Sequence, residues 1–550
     1  MQNSSPKTSP QRGTAKSDDT DLSAKPTSTL HFKIPGKIAG SQTIEAAYPL
    51  TVVAQESLTL ESTIERLPIP IYDEQYIQKA ETLPYNLHNK ISLIRTPSGK
   101  VYAVIWMHGK RLALAIRSKK LNAILSDLAR GDGVSLSKLD LAELNDALEA
   151  YAEQYGKVTE VWLRVAPIEN GFEIDMGDEV HTRIRITASK VETVNNSDTV
   201  FYRTANTKAM ALPAERGNWQ LLKKYLNVHP TEITLLAAWI TYTLAHPKMP
   251  SSKYPILVLQ GNEGSGKSSL CKNIIIRIID PNVIGVQVFP QNAKDLAIAS
   301  QNAHVLCYDN LRGFKPNMAD MLCIAATGGT ITSRQLYTDA DQQAIPLHVA
   351  LVLNGIHSFI DTPDLSQRCL PIHLIAMEKA KRKSEDELTR ELEADLPAIM
   401  RGLFNLIASI LSHLPNVEIT NPERMIDFVK WLGAMELADG IPAGIYQGLY
   451  SQTLQQGQLD TLMDNSLAAA LIEFADKHVA ESWSGTPATL LTKLTDSVSF
   501  GTQRSRDWPQ NPIALSKRIA GLQAGLLSQG IKVELSRGKQ RTVTISKVEV

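Results

Sequence analysis

The 550-residue chain lacks the features that would tie it to a membrane, a secretory route or a polyanion by bulk charge. Its four cysteines, Cys271, Cys307, Cys323 and Cys369, contain no CxxC pair. That spacing suits buried thiols in a reducing cytoplasm better than disulfides or a zinc site. Basic and acidic residues balance at 57 each, so no global field draws the chain to DNA or lipid, and a nucleic-acid surface has to be local. The longest apolar helix-like run, Ile233 to Ala245, is too short for a bilayer. The N-terminal residues carry no apolar segment of signal-peptide type. The expectations are a cytoplasmic location and no membrane partner.

What is present is 43% hydrophobic and 21% charged, the content of a soluble globular protein. The length predicts two to four domains. Residues 1–30, rich in Ser, Thr, Pro, Lys and Asp, read as a disordered tail. Residues 31–213 read as an α+β module. Strands are expected at Ile91–Arg95, Lys100–Met107, Arg111–Ile116, Glu160–Val165, Gly171–Asp175, Thr182–Thr187 and Thr199–Tyr202, and helices at Ser118–Arg130 and Leu139–Tyr155. No catalytic constellation stands out there, and no clustered acids of a primase, so no primer synthesis is expected. Trp162 and Arg164 read as part of a half-exposed strand. Residues 214–376 form an α/β core with preceding helices, at Trp219–Leu226 and from Pro230 to about Leu244.

That core opens on an apolar strand, Tyr254–Gln260, followed by Gly261-x4-Gly266-Lys267-Ser268 and a helix from Lys267 to Ile279 that Asp280-Pro281 stops. Strand, glycine loop and helix in this order are the setting a P-loop requires. Gly261, Gly264 and Gly266 let backbone N–H groups turn inward on phosphate oxygens, with Asn262, Glu263, Ser265 and Ser269 completing the loop. The helix N-terminus adds partial positive charge. Lys267 suits the β and γ phosphates of ATP, and Ser268 suits Mg²⁺. A second apolar strand, His304–Asp309, follows an intervening strand at Val283–Phe289. Asp309 at its end suits the same Mg²⁺, or a turn. A third strand, Leu347–Asn354, ends in an amide that suits either orientation of the attacking water or a turn before Gly355. Arg368, in Asp364-Leu-Ser-Gln-Arg368, is placed to reach a neighbouring subunit's nucleotide; a surface ion pair explains it as simply.

These elements in order, Gly261–Ser268, Asp309-Asn310, Asn354 and Arg368, resemble the Walker motifs, sensor asparagine and arginine finger of superfamily 3 helicase ATPases of AAA+ type, found in phages, plasmids and other mobile elements and in primase–helicases. The segment Ala326 to Asp339, ATGGTITSRQLYTD, is similar to the family's DNA-gripping hairpin. The resemblance covers about residues 210–440. It implies a ring, usually a hexamer, with ATP between subunits and single-stranded DNA in a central pore. Lys267, Ser268 and Asp309 would act in cis, Asn354 would position water, and Arg368 would act in trans. Arg334 would touch phosphate and Tyr337 would stack on a base or pack in the core. One departure stands out: most relatives end the second Walker strand in two acids, and here the second is Asn310. An amide is no base. Asp309 would then serve twice, or Asp320 or Glu263 would take part, or hydrolysis is slow.

Residues 377–463 read as a helical lid or linker. Met377 to Leu411 is helical, with a basic run, Lys379 to Lys383, that suits a solvated face. Arg424 is placed on a later helix as a lid over the nucleotide. Residues 464–550 read as a winged-helix-like module with helices at Asn465–His478, Pro487–Thr495 and Ile513–Ser528, then strands Ile531–Ser536 and Arg541–Ser546. From Gln503 to Lys547 nine basic residues face two acidic ones, a local excess of +7. Lys517, Arg518, Arg537, Lys539 and Arg541 are the expected DNA contacts; a winged helix also serves protein contacts. Two functions compete. One is an ATP-dependent DNA-translocating ring, a helicase for replication of a mobile element. The other is an ATP-binding switch or helicase loader with little hydrolysis, which Asn310 favours. A small-molecule kinase leaves the hairpin, Arg368 and the C-terminal module unexplained.

Overall fold

The computed structural model describes residues 90–334, 342–355, 359–360, 362–376, 383–480, 482–505, 508–537 and 541–548. The predicted tail 1–30, Tyr337, Lys539 and most of the basic run at Lys379 lie outside them.

The first part is built on a five-stranded sheet of order β4-β1-β2-β3-β9. Its strands are β1 (Ile91–Arg95), β2 (Val101–Met107), β3 (Lys110–Ala115), β4 (Lys157–Val158) and β9 (Ser197–Tyr202). Helices α1 (Lys119–Gly131) and α2 (Lys138–Tyr155) start at Ser118 and Ser137, whose hydroxyls accept from the backbone N–H groups of Leu121 and Asp140. Such caps satisfy donors that the first helical turn leaves orphaned. Leu121, Ile124, Leu125, Leu148 and Ala152 bury one face of the sheet under these helices.

A second antiparallel sheet runs β5 (Val165–Ile168), β6 (Gly171–Asp175), β7 (Arg183–Thr187), β8 (Val191–Val194). The strand expected from Glu160 begins only at Val165, because Arg164 adopts a left-handed conformation with φ 60. Before it, Trp162 makes one isolated bridge to Phe201. Strand β8 has no expectation in the sequence reading. Val165, Ile174, Met176, Ile184 and Ile186 share one hydrophobic core with the helices of the next region.

The central sheet has order β11-β14-β10-β15, all parallel, with β10 (Ile256–Gln260), β11 (Val305–Leu311), β14 (Ala350–Gly355) and β15 (Cys369–His373). The period of two divides each strand between two cores. Leu257, Leu259, Cys307, Val352, Leu370 and Ile372 face one side, and Ile256, Val258, Leu306, Tyr308, Leu351 and Leu353 the other. Burial on both faces is why these strands read as continuous apolar runs.

The first side is covered by α3 (Pro230–Ala245) and by the helix after the glycine loop, α4, which runs Lys267–Ser269, a π-helical stretch Leu270–Ile275, and Ile276–Ile279. The second side carries α5 (Ala293–Gln301) and α6 (Pro316–Thr327). The segment expected as a strand at Val283–Phe289 forms a single bridge, Gln287 to Tyr308. Gly285, at φ 70, and Pro290 interrupt the segment on either side of Gln287. Trp219–Tyr225 is a 3-10 helix rather than an α-helix. Between the second and third sheet strands, β12 (Gly329–Arg334) and β13 (Gln342–Leu347) form an antiparallel hairpin.

A short α7 (Pro363–Ser366) precedes β15. The helix expected from Met377 starts at Glu385, capped by Ser384, and is α8 (Glu385–His413). By length and composition α8 is apolar enough to cross a membrane. Its apolar stripe of Leu396, Ile399, Leu403, Phe404 and Ile407 is instead fully or nearly fully buried in the shared core. Gly402 of α8 and Gly217 let the helix meet the chain before Trp219, since a Cβ on Gly402 would stand 2.1 Å from the Trp219 nitrogen. Then follow α9 (Ile426–Asp439) and α10 (Ile445–Asp464). The last part has α11 (Ser466–His478), α12 (Pro487–Ser497), α13 (Phe500–Gln503) and α14 (Pro512–Leu527), with a sheet of order β16-β18-β17. Strands β17 (Ile531–Arg537) and β18 (Arg541–Lys547) are the expected hairpin, and β16 (Ser482–Gly485) adds a strand the sequence reading missed. All four cysteines are buried free thiols.

Candidate nucleotide site

The loop Gly261–Gly266 leaves the C-terminal end of β10 and turns into α4. Gly264 and Gly266 hold φ 74 and 91, which side-chain-bearing residues rarely adopt. Gly261 is excluded from substitution by crowding: a Cβ there would stand 2.8 Å from the Leu374 carbonyl. Inside the loop the Lys267 ammonium donates to the carbonyls of Gly261 at 2.7 Å and Asn262 at 3.0 Å. Burial pulls its pKa below the ordinary lysine value, and Asp309 and Glu263 push it back up. Asn227, which carried no sequence signal, braces the loop: its Nδ2 donates to the Ser265 carbonyl at 2.9 Å and to the Ile375 carbonyl at 2.5 Å. Ser269 Oγ accepts from Asn273 one helical turn on.

Ser268 Oγ donates to Asp309 Oδ2 at 2.5 Å. The carboxylate reaches the helix because β11 carries a bulge. Tyr308 pairs with Leu353 and Leu311 with Gly355, so Asp309 and Asn310 stand opposite Asn354 alone. Asn310 takes the extra turn at φ 59, and its N–H donates to Asp309 Oδ1 at 2.6 Å. Asn and Asp tolerate that conformation far better than longer side chains. Position 310 is thus a conformational device that aims Asp309.

Asn354 lies on β14 opposite Leu259 of the loop strand and is 1% exposed. Neither its Oδ1 nor its Nδ2 has a hydrogen-bond partner in the protein. A buried unpaired amide costs about 1–3 kcal/mol, so this side chain calls for a polar partner in the crevice at the strand ends. Among the described residues no cluster of three or more His, Cys, Asp and Glu forms a metal cage. The hydroxyl and carboxylate of Ser268 and Asp309 nonetheless fit Mg²⁺, which prefers one or two protein oxygens and takes the rest from water and phosphate.

Of the two other acids considered for water activation, Glu263 acts on Lys267 and stands at the site, whereas Asp320 acts on Cys323, beside Asp364 and Arg368. Arg368 is not brought to the loop. The Arg368 carbonyl accepts from the Ile256 N–H, at the start of β10, while the loop leaves its end. The five-residue strand separates them by about 17 Å at 3.3 Å per residue. Arg368 Nη1 donates to the Asp364 carbonyl and to its Oδ2, both at 2.6 Å, and the Arg368 Nε is buried without a partner. Arg424 lies in the loop before α9, not on a helix over the nucleotide, and pairs with Asp364 Oδ1 at 2.8 Å.

Arg164 also departs from its sequence reading. It is 4% exposed, and its guanidinium donates to Asp280 Oδ1 at 3.0 Å and to the carbonyls of Asp175, Lys208 and Pro281. Asp280 ends α4, and its Oδ2 accepts from the His304 N–H just before β11. The first part of the chain is thereby bolted to the two elements that present Lys267 and Asp309. Arg334 is the last residue of β12 in the hairpin. Lys517 and Arg541 are exposed, Arg518 is half-buried, and Arg537 ends β17.

The C-terminal three-fifths of the chain is matched by two family descriptions. Residues 220–454 match the replication protein RepA of actinomycete integrative conjugative elements, and residues 467–550 match the C-terminal domain of the same RepA. Together they take in more than half of the chain. The chain belongs to this RepA family. The expected kinship with replication proteins of mobile elements holds, and the second match covers the three-stranded C-terminal part as a domain of these proteins. No curated protein matches the chain. Among solved structures, the apo NrS-1 C-terminal region is similar at 11% identity over 84% of this chain and 98% of that one, with a TM-score of 0.37. The SCCmec type IV Cch active helicase is similar at 11% identity over 84% and 93%, with a TM-score of 0.44.

Proposed function

We propose that this RepA family member is a cytoplasmic ATP-hydrolysing motor that assembles as a ring, a hexamer by resemblance, and moves on DNA as the replicative helicase of its element. The observation that carries the reading is the division of the site. Lys267, Ser268, Asp309 and the unpartnered Asn354 gather at one end of the sheet, and Arg368 stands at the other. In this reading Arg368 of a second copy completes the site.

In this reading the loop N–H groups and Lys267 hold the β and γ phosphates, so Lys267 exchanges the Gly261 and Asn262 carbonyls for phosphate oxygen. Ser268 and Asp309 would hold Mg²⁺, which would supply neutralisation of the phosphate charge. Asn354 orients the water whose oxygen adds to the γ phosphorus as the bond to the bridging oxygen of ADP breaks. Glu263 is the acid at hand for that water's proton. Arg368 of the next copy stabilises charge on the transferring group; donors of this kind are each worth about a hundredfold or more in rate. The hairpin with Arg334 lines the pore, and Tyr337 is by resemblance a stacking residue for DNA. Helices α12 and α14 with strands β16 to β18 form a winged-helix-like module whose Lys517, Arg518, Arg537, Lys539 and Arg541 meet DNA. Asn310 favours a second reading, an ATP-bound switch or loader with negligible turnover.

Steady-state ATP turnover with and without single-stranded DNA, beside Lys267→Ala, decides between them. Stimulation by DNA that the variant loses is the expected result. Tight ATP binding with no turnover under either condition would replace the motor with the switch.

A further inference from the structure

Arg368 is not idle in the chain. Its Nη1 is committed to Asp364 twice, through the carbonyl and Oδ2. Its side chain is 12% exposed. A guanidinium held this way has its charge neutralised through Nη1 while its Nε stays unpaired, and it has to leave Asp364 before it can serve another anion. Leaving a carboxylate uncompensated is the expensive part of breaking such a pair. The other oxygen, Oδ1, is already taken by Arg424 Nη1, which also donates to Gln367 Oε1 at 3.1 Å. Arg424 is 42% exposed. Two cations thus share one anion at the start of β15, and either alone satisfies it. The Asp364 carboxyl is held below the usual carboxylate range, first by its hydrogen bond from Arg368 and then by Cys323 and Arg424, against burial. It therefore stays charged at neutral pH and the contest persists.

We propose that Arg424 is a positioning residue that keeps Asp364 occupied so that Arg368 can release it and reach a phosphate held by a second copy of this chain. Asp364 is the parking group, and Arg424 sets how tightly it holds. The assignment rests on the trans reading of Arg368 in the preceding section.

The test is a double-mutant cycle read as DNA-stimulated ATP turnover of the full chain. The proteins are wild type, Arg424→Ala, Asp364→Asn and the double variant, with thermal melts to confirm folding. Without Arg424, Asp364 grips Arg368 alone, and turnover falls about three- to fivefold, the scale of one exposed ion pair. Asp364→Asn matches or exceeds wild type, and the double variant returns to the Asp364→Asn level. Arg424→Lys, which keeps the pair, stays near wild type. A double variant as slow as Arg424→Ala would show that Arg424 acts without Asp364 and would overturn the proposal, as would wild-type turnover in Arg424→Ala. Arg368→Ala in the same assay separates the two levels: unchanged turnover there removes the trans reading itself.

Discussion

Replacing Arg164 by methionine should cost far more than its place in the sequence suggests. The side chain is 4% exposed and Asp280 is 7% exposed. The substitution keeps volume and removes the donor at 3.0 Å from Asp280 Oδ1, together with bonds to the carbonyls of Asp175, Lys208 and Pro281. It strands a buried carboxylate. Breaking a buried pair by removing one partner costs about 3–5 kcal/mol. The strands β5 to β8 and the sheet helices share one core, so the cooperative unit is large and its melting temperature moves by about 2 °C per kcal/mol. The expected shift is therefore a loss of about 6–10 °C by scanning fluorimetry. The double variant Arg164→Met/Asp280→Asn leaves no unpaired charge, and the amide oxygen can still accept from the His304 N–H. It should recover at least about 1 kcal/mol relative to the sum of the single costs. A cost of Arg164→Met below about 1 kcal/mol, or strict additivity in the double variant, would refute the buried-clamp reasoning.

Two more outcomes follow from the site. Asn354→Leu removes a buried amide with no partner, so it should raise the melting temperature, by about 1 kcal/mol of stability, while cutting ATP turnover about a hundredfold; a drop in stability would mean the amide is satisfied. At the end of β15, His373 Nδ1 pairs with Glu232 Oε1 at 2.9 Å, and this bond raises the His373 pKa against burial, with Asp460 adding to the rise. A folded pKa above the ordinary value of about 6.5 stabilises the protein fully below that pH and progressively less as pH rises through the raised value. Urea unfolding should show the gap between wild type and Glu232→Gln narrowing from pH 6 to pH 9; a constant or widening gap would contradict it.

The glycine loop, the apolar strands and the order Lys267, Asp309, Asn354, Arg368 are legible in sequence because each depends on local chemistry. A turn that needs positive φ needs glycine, and a strand buried on both faces has to be apolar. The same holds for Ser118 and Ser137, whose caps mark helix starts within three residues. Residues that work at long range carry no such mark. Asn227 braces a loop 38 residues away, Arg164 meets Asp280 across 116, and Glu232 meets His373 across 141. By residue type Asn310 stands where an acid is expected, and only the register between β11 and β14 shows it as the residue that bears a bulge. By its place in the chain Arg368 suits a reach to a neighbour. Strand direction decided that it stands a strand's length, about 17 Å, from its own loop, because parallel strands put their beginnings and ends on opposite sides of the sheet. The sequence by itself determined which chemistry the chain carries. The tertiary structure decided which of those groups share a site, since distance in a fold is set by strand order and packing rather than by separation along the chain.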